Sequence, residues 1–196
     1  NHTTFYDNSP LWIRTACENS LKRLGTDYID LYQMHYRDGH TDIATVLGVL
    51  EDLRREGKIR YFGLSNLSMA DYAEVAAHPG SFITMQNEYS LARRDQEPHI
   101  RRFSQGLGLN PMTWGSLGQG ILTGKYDHTA RFGSDDRRSR EIYVNFHGQK
   151  LLKNLEIVEQ MRPIAAAHGK SVSAVALRFI LDHLPDSVVI CGVKRS

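Results

Sequence analysis

Five groups of residues in this 196-residue chain have side chains or backbone suited to chemistry, and each follows a short apolar run. They are His35, Ser65-Asn66, Gln86-Asn87, Trp114-Gly115-Ser116 and Gly192-Val193-Lys194-Arg195. An imidazole at His35 is suited to orienting a carbonyl or assisting proton transfer. Ser65, Asn66 and Gln86 are the short polar side chains that recognise a flat amide, and Trp114 can stack on a planar ring. The segment Gly115-Ser116-Leu117-Gly118-Gln119-Gly120 is rich in small residues, so its backbone N–H groups can approach phosphate oxygens. Lys194 and Arg195 suit a phosphate clamp. Taken singly, each position also has a structural reading. His35 can be a satisfied strand-end histidine, Ser65-Asn66 a helix cap, Gln86 a partner for loop backbone, Trp114 a core residue, and the terminal basic pair a solvated end.

The elements that must position these groups alternate along the chain. Ser9-Pro10 predicts a helix start, Ile13, Cys17, Leu21 and Leu24 recur at helical spacing, and Gly25 is the stop. Tyr28 to His35 reads as a buried strand. A helix over Thr41 to Glu56, a strand over Ile59 to Ser65, a helix capped by Ser68 to about Ala77 and a strand over Phe82 to Asn87 follow. A helix over about Gln96 to Gln105 and a strand over Leu109 to Trp114 continue the rhythm. A Gly-rich, charged segment from Gly115 to Gly148 then interrupts it. Helices over about Gln149 to His168, with Pro163 bending or splitting it, and Ser173 to His183 precede a fifth strand, Ser187 to Cys191.

This alternation predicts an α/β fold of right-handed βαβ units on a parallel sheet, in one domain over residues 1–196. Five βα units do not close a barrel, which needs eight, and would leave apolar strand edges. The chain therefore reads as an incomplete (β/α)8 TIM barrel. The pattern alone also admits an open doubly wound sheet, although no GxGxxG turn follows the first strand.

Composition excludes more than it identifies. A net charge of +2 supplies no basic field, which argues against a nucleic-acid partner. Arg137-Arg138-Ser139-Arg140, following Asp135-Asp136, reads as a solvated loop. No stretch approaches the roughly 20 apolar residues of a membrane span. The first residues show neither a charged nor an apolar signal segment, and Cys17 and Cys191 lie far apart without CxxC spacing. The expectation is a cytoplasmic protein with reduced thiols. His, Cys and carboxylates show no metal-ligand spacing, so no metal is expected.

Five segments in order resemble successive signatures of the aldo-keto reductases. They are SLKRLGTDYIDLYQMH (Ser20 to His35), GKIRYFGLSN (Gly57 to Asn66), QNEYSL (Gln86 to Leu91), TWGSLGQGILTGKY (Thr113 to Tyr126) and ICGVKRS (Ile190 to Ser196). The similarity runs from about Ser9 to the end, and the most similar branch is the bacterial enzymes that also resemble potassium-channel β-subunits. The resemblance implies a reductase of aldehydes or ketones using NADPH/NADP+, with His35 as the active-site histidine. It implies that Ser65, Asn66 and Gln86 bind the nicotinamide carboxamide and that Trp114 stacks on the ring. Gly115, Ser116, Leu117, Gln119 and Gly120 match the pyrophosphate loop, and Lys125 lies on a segment that can fold over the cofactor. Gly192, Lys194 and Arg195 match the start of the adenosine-phosphate site, where basic groups favour NADPH.

The chain departs from the family pattern in places. Gly115-Ser116-Leu117 stands where Ser-Pro-Leu is usual, and Cys191 where proline is frequent; the first change alters loop stiffness while leaving backbone donors. The family's Asp, Tyr and Lys lie on the part of the barrel before residue 1, and its C-terminal helix lies beyond the last residue. The implied partner is a small-molecule carbonyl, with Tyr36, Arg37 and Asp38 lining its mouth; an oligomer is compatible. Two other readings stay open: an NADP(H)-binding regulatory subunit with little turnover, and a shortened interaction module that needs a partner to complete the barrel.

Overall fold

The computed structural model describes residues 5–192. Ser9 starts helix α1 (Pro10–Leu24): its hydroxyl accepts from the Trp12 N–H, Pro10 occupies the first turn, and Gly25 closes the helix in the left-handed region. Strand β1 is Ile29–Met34, which puts His35 immediately past its carboxyl end. Asp42 caps α2 (Ile43–Arg55), whose Ile43, Val46, Val49, Leu50 and Leu53 form one buried stripe. β2 spans Ile59–Ser65. Ser68 and Asp71 then make a capping box over a short 3-10 turn, Met69–Asp71, that runs into α3, Tyr72–Ala76.

β3 is Thr84–Glu88, α4 is Glu97–Leu107 and β4 is Asn110–Trp114. After the long connection come α5 (Gly148–Ala167), α6 (Val172–His183) and β5 (Val188–Val189). Pro163 does not split α5. It removes one backbone donor, but Met161 and Ala165 are buried on either side of it, and that packing carries the helix through. The fifth strand is shorter than the five residues expected, although Ile190 N–H still donates to the Thr113 carbonyl at 2.9 Å. No single helix among the described residues is long and apolar enough to cross a membrane.

The chain forms two compact units. The first holds the residues up to Asn87 together with Pro98–Pro111, and the second holds Glu88–Glu97 and Met112 onward. In the first, β1 pairs with β2 and β2 with β3, both parallel, in registers that set Met34 against Leu64 and Ser65 against Gln86. That register sets the ends of β1 and β2 beside Gln86, with β3 running two residues further to Glu88, and parallel neighbours joined through a helix start again from the same side. Phe62, Leu64, Met85, Ile100 and Phe103 are fully buried around them. In the second unit β4 and β5 pair in parallel. Its core gathers Ala92, Ile121, Leu122, Phe146, Val158 and Met161.

Candidate active site

In the first unit the polar groups expected at the strand ends are hydrogen-bonded into one cluster. Asn66 Nδ2 donates to the His35 carbonyl at 2.9 Å and lies 3.1 Å from Ser65 Oγ. Ser65 Oγ donates to the Gln86 carbonyl at 2.9 Å, and Asn66 N–H donates to the same oxygen at 2.8 Å. Gln33 Nε2 donates to Gln86 Oε1 at 3.0 Å. Ser65 is buried and Asn66 and Gln86 half-buried, while the His35 ring is exposed. Asn66 sits at φ 55, a left-handed conformation that asparagine tolerates better than most residues. That turn directs the chain away from β2 and lets backbone and side chain of one residue reach Gln86 and His35 at once.

His35 is the open end of an aromatic trio. Its ring lies 4.6 Å from that of Tyr36, which Tyr6 stacks on at 4.5 Å. These rings border a cavity of about 230 Å³, lined also by Gln33, Met34 and Trp12. The segment carrying Tyr6 is tied down by a reciprocal pair: Asn8 N–H donates to Asp38 Oδ2, and Asp38 N–H donates to Asn8 Oδ1, both at 2.8 Å. Burial pushes the Asp38 carboxyl up, but donors from Thr41, His40 and Asn8 outweigh it and hold the group well below the ordinary aspartate range. Of the three residues expected at the substrate mouth, two are therefore engaged elsewhere. Asp38 serves the loop backbone, and Arg37 pairs with Asp71 and Glu74 at 3.0 and 2.9 Å.

The second unit holds the glycine-rich loop. Gly115, Gly118 and Gly120 all have positive φ, and so does Gln119 at φ 56. The donors expected for phosphate are only partly available. Gly118 N–H bonds the Gly115 carbonyl at 2.7 Å and Gly120 N–H the Leu117 carbonyl at 3.0 Å, so the loop uses those two on itself. The backbone donors of Ser116, Leu117 and Gln119 make neither bond. Ser116 is buried, and its hydroxyl reaches the carbonyls of Thr113 (3.0 Å) and Ile190 (3.2 Å), fastening the loop to the ends of β4 and β5. Its side chain thus positions the loop instead of facing out. Gln119 is likewise turned inward, to Glu88 and Asn145. Trp114 is half-buried, Lys125 and Gly192 are exposed, and Lys194 and Arg195 lie outside the described residues.

In the connection after the loop Arg137 and Arg140 are exposed, as the charge pattern predicts, and Arg138 departs from it. Arg138 is half-buried, not solvated: its guanidinium lies 4.6 Å from the Phe132 ring centre and 5.4 Å from that of Tyr126, and it pairs with Asp136. The aromatic spacing around the basic run was the available signal. Asn8 and Glu88 gave none, since each acts through a partner distant in sequence. No cluster of three or more His, Cys, Asp or Glu side chains among the described residues is arranged to hold a metal.

Parallel strands with polar groups at their carboxyl side suit either a barrel or an open doubly wound scaffold, and the relatives decide between them. The chain belongs to the aldo/keto reductase family, whose model matches residues 2–196. It is 35% identical over 179 residues to the aldo-keto reductase YhdN of Bacillus subtilis, covering 91% of this chain and 53% of that protein. It superposes on the structure of the glycerol dehydrogenase AKR11B4 from Gluconobacter oxydans with a TM-score of 0.84 at 32% identity, covering 97% of this chain and 58% of that one. An aldo/keto reductase from Klebsiella pneumoniae, in complex with NADP and acetate, matches with a TM-score of 0.68 at 27% identity over 92% of this chain and 54% of that one. The fold is part of a (β/α)8 barrel, and the chain spans little more than half the length of the relatives it matches.

Proposed function

We propose that this chain supplies the cofactor-binding part of an NADPH-dependent reductase of small aldehydes or ketones, acting as a single barrel domain with its upstream sequence. The observation that carries the proposal is the His35–Asn66–Ser65–Gln86 cluster, just past the ends of β1 and β2 and beside them in β3. Its chemistry fits a carboxamide: Gln86 has its Oε1 occupied by Gln33 and its Nε2 left to donate, and Ser65 Oγ keeps acceptor capacity. In the second unit, the backbone donors of Ser116, Leu117 and Gln119, which the loop does not use on itself among the described residues, are the ones that suit a pyrophosphate.

Bound NADPH supplies the hydride. Ser65, Asn66 and Gln86 would hold the carboxamide, and Trp114 is the residue that the family resemblance assigns to stacking on the nicotinamide ring. His35 donates a hydrogen bond to the substrate carbonyl, with its backbone anchored by Asn66 so that the imidazole keeps its place. Ser116, Leu117, Gln119 and Gly120 line the phosphate site, Gly115 gives it room, and Lys125 lies on the covering segment. Gly192, Lys194 and Arg195 begin the site for the adenosine phosphate. The relatives' names support this reading: the Klebsiella protein is in complex with NADP, and a Schizosaccharomyces pombe relative, 32% identical, is an aldo-keto reductase named with NADP(+).

The test is a titration with NADPH, and NADH for comparison, followed by tryptophan fluorescence in wild type and Trp114→Phe. Saturable quenching that is tighter for NADPH and lost in Trp114→Phe is expected. Trp12, 53% exposed, lines the cavity beside His35, so the signal that Trp114→Phe retains is its contribution and is subtracted. Equal or absent quenching by the two cofactors sinks the assignment.

A further inference from the structure

The glycine-rich loop contains one residue that does not belong there on backbone grounds. Gln119 has φ 56 and ψ 19, in a region where a residue with a Cβ costs about 1–2 kcal/mol and where glycine is the usual choice. A glutamine persists in such a conformation only if its side chain is held. Here it is held at both ends. Nε2 donates to Glu88 Oε1 at 2.8 Å, and Oε1 accepts from Asn145 Nδ2 at 2.5 Å. Asn145 is in turn fixed by Asn154 Nδ2, which reaches its carbonyl at 3.1 Å and its Oδ1 at 3.2 Å.

Glu88, at the end of β3, is the anchor of this chain of contacts. It is 8% exposed, and its other oxygen takes Arg93 Nη1 at 2.7 Å. It also touches the start of the loop: a Cβ at Gly115 would lie 3.1 Å from Glu88 Cγ and Oε1. One carboxylate therefore packs against Gly115 and bonds Gln119, the two positions that bracket the backbone donors of Ser116 and Leu117. Burial pushes the Glu88 carboxyl up, while Arg93 and the Gln119 amide pull it down.

We propose that Glu88 is a positioning residue for the phosphate-binding loop, holding Gln119 in its left-handed turn so that the loop's N–H groups are aligned before the cofactor arrives. This rests on the reading of Gly115–Gly120 as the pyrophosphate site. With the carboxylate gone, Gln119 loses the bond that offsets its backbone cost, and the turn relaxes.

The test compares NADPH dissociation constants and carbonyl kinetics for full-length wild type, Glu88→Ala, Glu88→Gln, Gln119→Gly and the double variant Glu88→Ala/Gln119→Gly. Glu88→Ala should weaken NADPH about tenfold, as loss of a hydrogen bond to a charged group does, with kcat at saturating NADPH little changed. Glu88→Gln, which keeps an acceptor for Gln119, should stay within about threefold of wild type. The decisive arm is the double variant: glycine makes the left-handed turn without an anchor, so it should recover most of the affinity lost in Glu88→Ala. Unchanged binding in Glu88→Ala, or a loss that Gln119→Gly does not recover, overturns the proposal. If Glu88→Ala fails to fold, Glu88→Gln decides: a tenfold loss there shows the charge, not the Gln119 bond, at work and overturns it. Wild type that does not bind NADPH overturns the site reading and this proposal with it, whereas wild type that binds while Glu88→Ala binds equally well overturns this one alone.

Discussion

Asn66 Nδ2 donates to the backbone carbonyl of His35 at 2.9 Å, so the residue that follows β2 holds in place the residue that follows β1. Under the proposed function, this amide would join the cofactor role of Asn66 to the substrate role of His35. Asn66→Ala removes that bond and leaves an alanine at φ 55, which costs about 1–2 kcal/mol by itself. The expected result in the full-length enzyme is a rise of at least about tenfold in both the NADPH dissociation constant and the carbonyl KM. A change in one constant without the other would show that the bond does not couple them.

Gly63 leaves no room for a side chain. A Cβ there would lie 2.0 Å from Thr84 Oγ1 and 2.9 Å from the Thr84 carbonyl oxygen, across the β2–β3 pair. Gly63→Ala should cost about 3 kcal/mol, read as the urea midpoint. Adding Thr84→Ala should recover only part of it, since the carbonyl stays. A wild-type midpoint in the single variant would disprove this account.

Asp38 predicts a pH dependence whose sign is fixed. Its folded-state pKa lies below the unfolded value of about 3.9, so the stabilisation is complete above that value and is lost as pH falls toward the folded-state pKa. Asp38→Asn turns a donor toward the Asn8 N–H and Thr41 hydroxyl in place of an acceptor. It should destabilise by about 2 kcal/mol at pH 7, with the gap to wild type narrowing below about pH 4. Parallel stability curves across that range would exclude Asp38 as the cause.

Asn154 is fully buried, and its amide nitrogen is the donor that Asn145 uses. Asn154→Ala should cost about 2 kcal/mol by leaving those oxygens unsatisfied. Asn154→Asp, nearly the same shape, should cost more at pH 7, because it sets a carboxylate against two acceptors. Thermal unfolding of the pair checks the order, and an aspartate variant as stable as wild type contradicts it.

The framework was legible where local rules suffice. Ser9-Pro10 and Gly25 marked the ends of α1, the apolar run Ile59 to Ser65 is β2, and strand ends located His35, Ser65, Asn66 and Gln86. What stayed hidden depends on contacts between residues far apart in the chain. The Asn8–Asp38 pair spans 30 residues and the Glu88–Gln119 bond 31, and neither leaves a periodicity or a motif. The same holds for Ser116, whose hydroxyl bonds Ile190 across 74 residues. Of the two outcomes expected at Pro163, the split is absent because helix propensity is local, while the burial of Met161 and Ala165 is not.

The guanidinium of Arg138, set among Tyr126, Phe132 and Phe146 and paired with Asp136, ties the connection between β4 and α5 onto the core of the second unit. A stretch tied in this way does not fray residue by residue. Its expected opening is shared across the packed rings, so amide hydrogen exchange across Tyr126 to Phe146 should report a single opening free energy instead of a gradient.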